Sequence, residues 1–166
     1  MEITLAENMK VVTALAPGEG TGLATFSQGI CLKYVHRLFI IVNYVDTGIG
    51  ATITIWRDTD VGMATPDVAL WDAANPPKLW ANNDTDISDT LVRQADAIGW
   101  AFNDGSTSQQ VVFQLNPADL GTTAAGLQYD CCDVYFNLLP VNEWASVTYV
   151  AHTRYPQGTP PSIIVN

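Results

Sequence analysis

The sequence predicts an all-β sandwich or barrel folded as one domain. Three observations carry that expectation. Short stretches rich in Val, Ile, Phe, Tyr and Thr recur along the 166 residues, cut at short intervals by Gly, Pro, Asn and Asp. No stretch sustains a helical period. Of the 17 acidic residues 13 are Asp, which suits turns and caps, rather than Glu, which suits helix interiors.

The elements follow in order. Residues 1–16 form either an N-terminal arm or a first strand, with the β-branched run Met9–Leu15 ending at the break Pro17-Gly18-Glu19-Gly20. Ile30–Val35 leads into the apolar run Leu38–Val45, which stops at the turn Asp46-Thr47-Gly48. Ala51–Arg57 alternates, with Ile53 and Ile55 on one side and Thr52, Thr54 and Trp56 on the other, a period-two strand. Asp58–Asp67 and Asp72–Pro77 read as loops around a short element at Val68–Trp71, and Lys78–Ala81 as a brief strand before the polar run Asn82–Asp89. Ala97–Phe102 and Gln110–Leu115 flank a turn at Asn103-Asp104-Gly105-Ser106. Asn116 followed by Pro117 is a cap before a first helical position and predicts one helical turn. Tyr129–Asn137 and Ala145–Tyr155 complete about eight strands, the content of a sandwich or barrel. Residues 155–166 hold Pro156, Pro160 and Pro161 and are expected to run extended as a C-terminal arm.

Charge narrows the partners. With 7 Lys plus Arg and a net charge of −10, the chain would repel a phosphate backbone, so neither nucleic acid nor an anionic membrane is an expected partner. The longest strongly apolar run, Leu38–Val45, is strand length and far short of a membrane span, and residues 1–16 lack the basic start and long apolar core of a signal peptide.

Residues for chemistry are sparse. His36 and His152 are the only histidines, and no Gly-x-Ser-x-Gly elbow or His-Glu-x-x-His helix is present. Cys31, Cys131 and Cys132 match no zinc spacing, and the adjacent pair is expected to point one side chain into the core and one outward. Buried free thiols are the expectation, with no metal and no cofactor. Asp58-Thr59-Asp60 and the run from Asn82 to Asp89 alternate oxygens as calcium loops do. Counted from Asp84, the second has Asp89 at the sixth position and Ala95 at the twelfth, where an EF-hand needs Gly and Glu, so solvated turns are expected. Gly18-Glu19-Gly20-Thr21-Gly22 lacks the P-loop lysine and reads as a turn. Trp56, Trp71, Trp80, Trp100 and Trp144 could build a sugar platform, but core or interface anchoring is the expected use.

Three stretches carry a family resemblance: Asn8-Met9-Lys10-Val11-Val12-Thr13-Ala14-Leu15-Ala16-Pro17; Trp80-Ala81-Asn82 with Ser88-Asp89-Thr90-Leu91 and Arg93-Gln94; and Thr153-Arg154-Tyr155 with Thr159-Pro160-Pro161-Ser162. In these the chain resembles tailed-bacteriophage virion proteins assigned as capsid decoration, or cement, proteins. The resemblance implies a jelly-roll-like β-sandwich made in the bacterial host cytoplasm and ending on the capsid surface of the virion. There it would clamp neighbouring major capsid subunits, alongside copies of itself as dimer or trimer, with no enzymatic activity. Another virion component (tail or head–tail connector) and a carbohydrate-binding sandwich are the alternatives, with a small hydrolase behind them.

The candidate interface residues come from the C-terminal arm: Tyr155, Pro156, Pro160, Pro161, Ile163, Ile164 and Val165. An arm ending in Ile163-Ile164-Val165 is ill suited to water. Either a partner surface completes its burial, or Ile163 and Val165 tuck back onto the domain's own sandwich.

Overall fold

The computed structural model describes residues 8–63, 69–102, 105, 107–154 and 163–164. Among these residues lie twelve strands: β1 (Met9–Glu19), β2 (Leu23–Phe26), β3 (Ile30–Cys31), β4 (Val35–Val45), β5 (Ala51–Asp58), β6 (Ala69–Leu70), β7 (Lys78–Asn82), β8 (Val92–Arg93), β9 (Gly99–Phe102), β10 (Ser108–Leu115), β11 (Cys131–Leu139) and β12 (Trp144–Thr153). One sheet runs β1-β12-β4-β10-β7-β8. The other runs β2-β11-β5-β6, with β3 also on β11 and β9 also on β5.

Every strand-to-strand pairing is antiparallel. Taking β2 with β3, and β9 with β6, as single positions leaves two four-stranded sheets, β1-β12-β4-β10 and β2-β11-β5-β9. Each alternates strands from the two ends of the chain, which is the connectivity of a jelly roll. β7 and β8 then widen the first sheet beyond β10.

Alternation sets the core. Leu38, Ile40, Val42 and Tyr44 on β4, Val111, Phe113 and Leu115 on β10, and Val147 and Tyr149 on β12 face inward from the first sheet. Ile53 and Ile55 on β5 and Cys132, Val134 and Phe136 on β11 meet them from the second. Burying a large aliphatic or aromatic side chain contributes roughly 1.5–3 kcal/mol, so these rows hold the two sheets together. Tyr44 stacks on Phe102 at 4.5 Å between ring centroids. A buried polar link across the core is satisfied: the Ser27 and Tyr149 hydroxyls lie 2.7 Å apart, and Val134 N–H donates to Ser27 Oγ.

The predicted elements recur with informative differences. β1 does not end at Pro17 but continues to Glu19. β1 is an edge strand, and register shifts separate Thr13 from Leu15 and Leu15 from Gly18, so Pro17 falls in an irregular stretch where no ladder N–H is required. Past its end, Gly20 N–H donates to Glu143 O, and a Cβ there would stand 2.1 Å from Pro140 O. Only glycine permits that approach. β2 and β8, short and exposed, left no pattern in the sequence. The helical turn predicted at Asn116 is a 3-10 turn, Pro117–Leu120, with Asn116 Oδ1 accepting from Ala118 N–H. Asn103, Asp104 and Ser106 of the predicted turn lie outside the described residues.

Candidate functional site

The outer face of the first sheet is built from the side chains that β1, β4, β7, β10 and β12 turn away from the core. Register places Val11 beside Val150 and Val150 beside Phe39; one row on, Thr148, Ile41, Val112 and Trp80 follow in line. Val11 is 57% exposed, and Phe39, Ile41, Trp80, Val112 and Val150 are half-buried. They form an apolar band across an open sheet. Trp80 is capped at the far edge by the Arg93 guanidinium, 5.0 Å from its ring, and Arg93 also pairs with Asp96.

Cations border the band. Arg37 on β4, Lys78 on β7 and Arg93 on β8 account for three of the chain's seven, and His36 and His152 pack edge to face at 5.6 Å at the same end as Arg37. On the other side Gln110, Asn43 and Ser146 bond to one another across β10, β4 and β12. Asp96 and Asp119 line the same cleft as His36, Arg37 and Lys78, so this rim carries both signs of charge.

The outer face of the second sheet differs. Phe26 lies 4.5 Å from Tyr135 and 6.3 Å from Trp56, and Trp56 lies 5.7 Å from Tyr135, all between ring centroids. Strand pairing sets this trio, with Tyr135 opposite Phe26 on one side and Thr54 on the other. Asp133, directly opposite Trp56, is fully buried, and neither carboxylate oxygen has a hydrogen-bond partner. Burial, helped by the nearby Asp58, pushes its carboxyl up from 3.8 to about 7. Beside it Phe26, Gly29, Val61, Met63 and Ile164 line a cleft of about 420 Å³.

The candidate residues of the C-terminal arm separate. Ile163 is 3% exposed and belongs to the domain's own core, and its carbonyl accepts from Cys31 N–H at 2.6 Å. Its side chain is therefore seated on the sandwich, the tucked-back alternative for this residue. Ile164 is 37% exposed. Tyr155, Pro156, Pro160, Pro161 and Val165 lie outside the described residues.

Two other expectations change. Asp58, expected in a solvated turn, is fully buried at the end of β5, where its Oδ1 accepts from Thr59 N–H. Cys132 is core, but the outward-pointing Cys131 is also buried, because Cys31 stands directly opposite it. Trp71 is core, while Trp144 is half exposed. The Asn82–Asp89 run is mostly exposed, although Asn82 itself is buried. It is held by Asn82 donating to Ser88 O and by Asp84 and Asp86 N–H groups bonding the side chains two residues back.

No protein-family model and no curated protein matches the chain. Among solved structures, the prophage-derived protein YomS of SPBc2 covers 87% of this chain and 92% of its own at 8% identity, with a TM-score of 0.44. A structure of infectious bursal disease virus, Gt strain, covers 92% of this chain and 46% of its own at 9% identity and a TM-score of 0.23. T=1 particles derived from infectious bursal virus give 8% identity, 92% and 44% coverage, and the same score. Likenesses at this level carry no functional argument.

Proposed function

We propose that this protein is a structural virion component that binds the outside of a phage capsid and cements neighbouring major capsid subunits. The observation that supports the reading best is the open apolar band Val11–Val150–Phe39 and Ile41–Val112–Trp80, rimmed by Arg37, Lys78 and Arg93. A flat sheet face of this kind suits a broad partner surface better than a small molecule. Arg37, Lys78 and Arg93 on its rim offer charge contacts to the shell beside the apolar band. The jelly-roll connectivity and the sequence resemblance agree with the reading. A protein that binds assembled subunits and not free ones stabilises the shell by mass action, without chemistry.

The direct test is a cryo-EM map of the source particle, expected to show this face against the shell, in hundreds of copies. A ring of about a dozen copies at a vertex would place the protein in the connector instead. Val11→Asp and Phe39→Asp are each expected to weaken capsid binding by at least ~2 kcal/mol, about thirtyfold, with folding monitored by circular dichroism. Equal binding by folded variants would refute this face as the contact.

Salt separates apolar from charged contact. Screening acts over about 8 Å at physiological ionic strength, so exposed pairs at Arg37, Lys78 and Arg93 would be weakened by added salt while the apolar band would not. Sedimentation of decorated particles is expected to retain the protein in molar sodium chloride. Full release at lower salt would show that charge pairing holds the complex.

The aromatic trio Phe26–Trp56–Tyr135 supports one second reading, a carbohydrate-binding sandwich. Quenching of tryptophan fluorescence by a glycan panel, lost in Trp56→Ala, would favour it over the capsid reading.

A further inference from the structure

We propose that Cys31, Asp130 and Cys131 form a zinc-binding site joining β3 to β11. The pairing of these strands sets Cys31 directly opposite Cys131, and Asp130 precedes Cys131 in the chain. One ligand atom from each of the three lies within 4.8 Å of the others, with Cys131 Sγ 3.3 Å from Asp130 Oδ1. Tetrahedral zinc, with bonds of about 2.3 Å to sulfur and about 2.0–2.2 Å to oxygen, separates its ligand atoms by roughly 3.5 Å. The trio is thus close to the required spacing.

The backbone holds the ligands in place. Cys31 N–H donates to Ile163 O, Leu32 N–H to Asp130 O, and Asp130 N–H to Asp58 O. Donor type selects the metal: two soft thiolates favour zinc over calcium or magnesium, which take oxygen ligands. Charge is compatible as well. Two thiolates and a carboxylate carry three negative charges against the ion's two positive, and Lys33 lies close enough to act on the Cys31 sulfur.

Both cysteines are buried, but Asp130 is half-buried and lines a cleft of about 530 Å³ with Lys33, Gln128 and Arg154. That cleft reaches the trio at Asp130, and a water from it would be the fourth ligand. Binding releases the two thiol protons to solvent, and nothing is oxidised or reduced. Cys132 takes no part, since its side chain is in the core. Sequence spacing hides the site because a fold-level strand pairing assembles it.

The test is a cobalt titration of the full-length protein, purified under reductant and stripped with a chelator. One equivalent of Co²⁺ is expected to bind, giving tetrahedral visible bands and a thiolate-to-cobalt charge-transfer band, both erased by equimolar Zn²⁺. Cys31→Ser is expected to abolish the charge-transfer band, and Asp130→Asn to weaken binding while keeping it. The wild-type protein alone decides the matter, whatever the variants do. A wild-type titration without charge-transfer absorption overturns the proposal, as does peptide mapping of the unreduced protein that finds Cys31 and Cys131 joined as a disulfide.

Discussion

Asp133→Asn is expected to raise the thermal midpoint at about pH 8 and to change it little near pH 4. Asp133 is fully buried, with no partner on either oxygen, and burial pushes its carboxyl from 3.8 to about 7. A folded-state value above the unfolded one means that the folded protein holds the proton more tightly. The stability this group contributes is therefore complete below about pH 4 and is lost as pH rises through about 7. A displacement from 3.8 to about 7 corresponds to roughly 4 kcal/mol at ~1.4 kcal/mol per tenfold, or about 10 °C in a domain of this size. Asparagine keeps the shape of the protonated acid and cannot ionise, so the difference between the two melting curves should open with the same pH dependence. The melts belong on chelator-stripped protein, so that no ion at Cys131, two residues away, adds to the field at Asp133. A variant less stable than wild type at alkaline pH would show that the ionised carboxylate has a favourable partner.

Ile163→Ala is expected to cost about 2–5 kcal/mol, the usual range for emptying a buried isoleucine site. Ile164→Ala, at a position 37% exposed, should stay within about 0.5 kcal/mol. The contrast tests the seat directly, because both changes leave the backbone bond from Cys31 N–H to Ile163 O available. Chemical denaturation should lower the midpoint for Ile163→Ala with an unchanged slope. Equal small effects at both positions would mean that this end of the chain detaches from the sandwich in solution. Deleting residues 158–166 is expected to be at least as costly as Ile163→Ala, so a decoration assay on the deleted protein requires a prior check that it is folded.

Local pattern carried most of the strand content. Ala51–Arg57 alternates so cleanly that its buried face, Ile53 and Ile55, is legible residue by residue, and the same holds for Val111, Phe113 and Leu115 on β10. Asn116 with Pro117 marked the 3-10 turn, because cap chemistry acts within one turn of chain. β2 and β8 were not legible: four and two mostly exposed residues owe their extended form to a neighbouring strand rather than to their own alternation.

Sequence by itself determined the all-β class, the acidic character and the outward or inward side of most strand positions, since each depends on composition or on a period of two. Only tertiary structure decided which strands are neighbours, and everything site-like depends on that. Val11, Phe39, Val112 and Trp80 lie on four strands, and only the order β1-β12-β4-β10-β7 makes them one band. Asp58 and Asp133 resemble any other acid in the chain until the β5–β11 pairing buries them together. Cys31 meets Cys131 only through the β3–β11 register, and Ile163 finds its seat only because the core leaves it one. Strand pairing over long sequence separations is selected by the burial of whole faces at once, an energy spread over the entire sandwich and written at no single position.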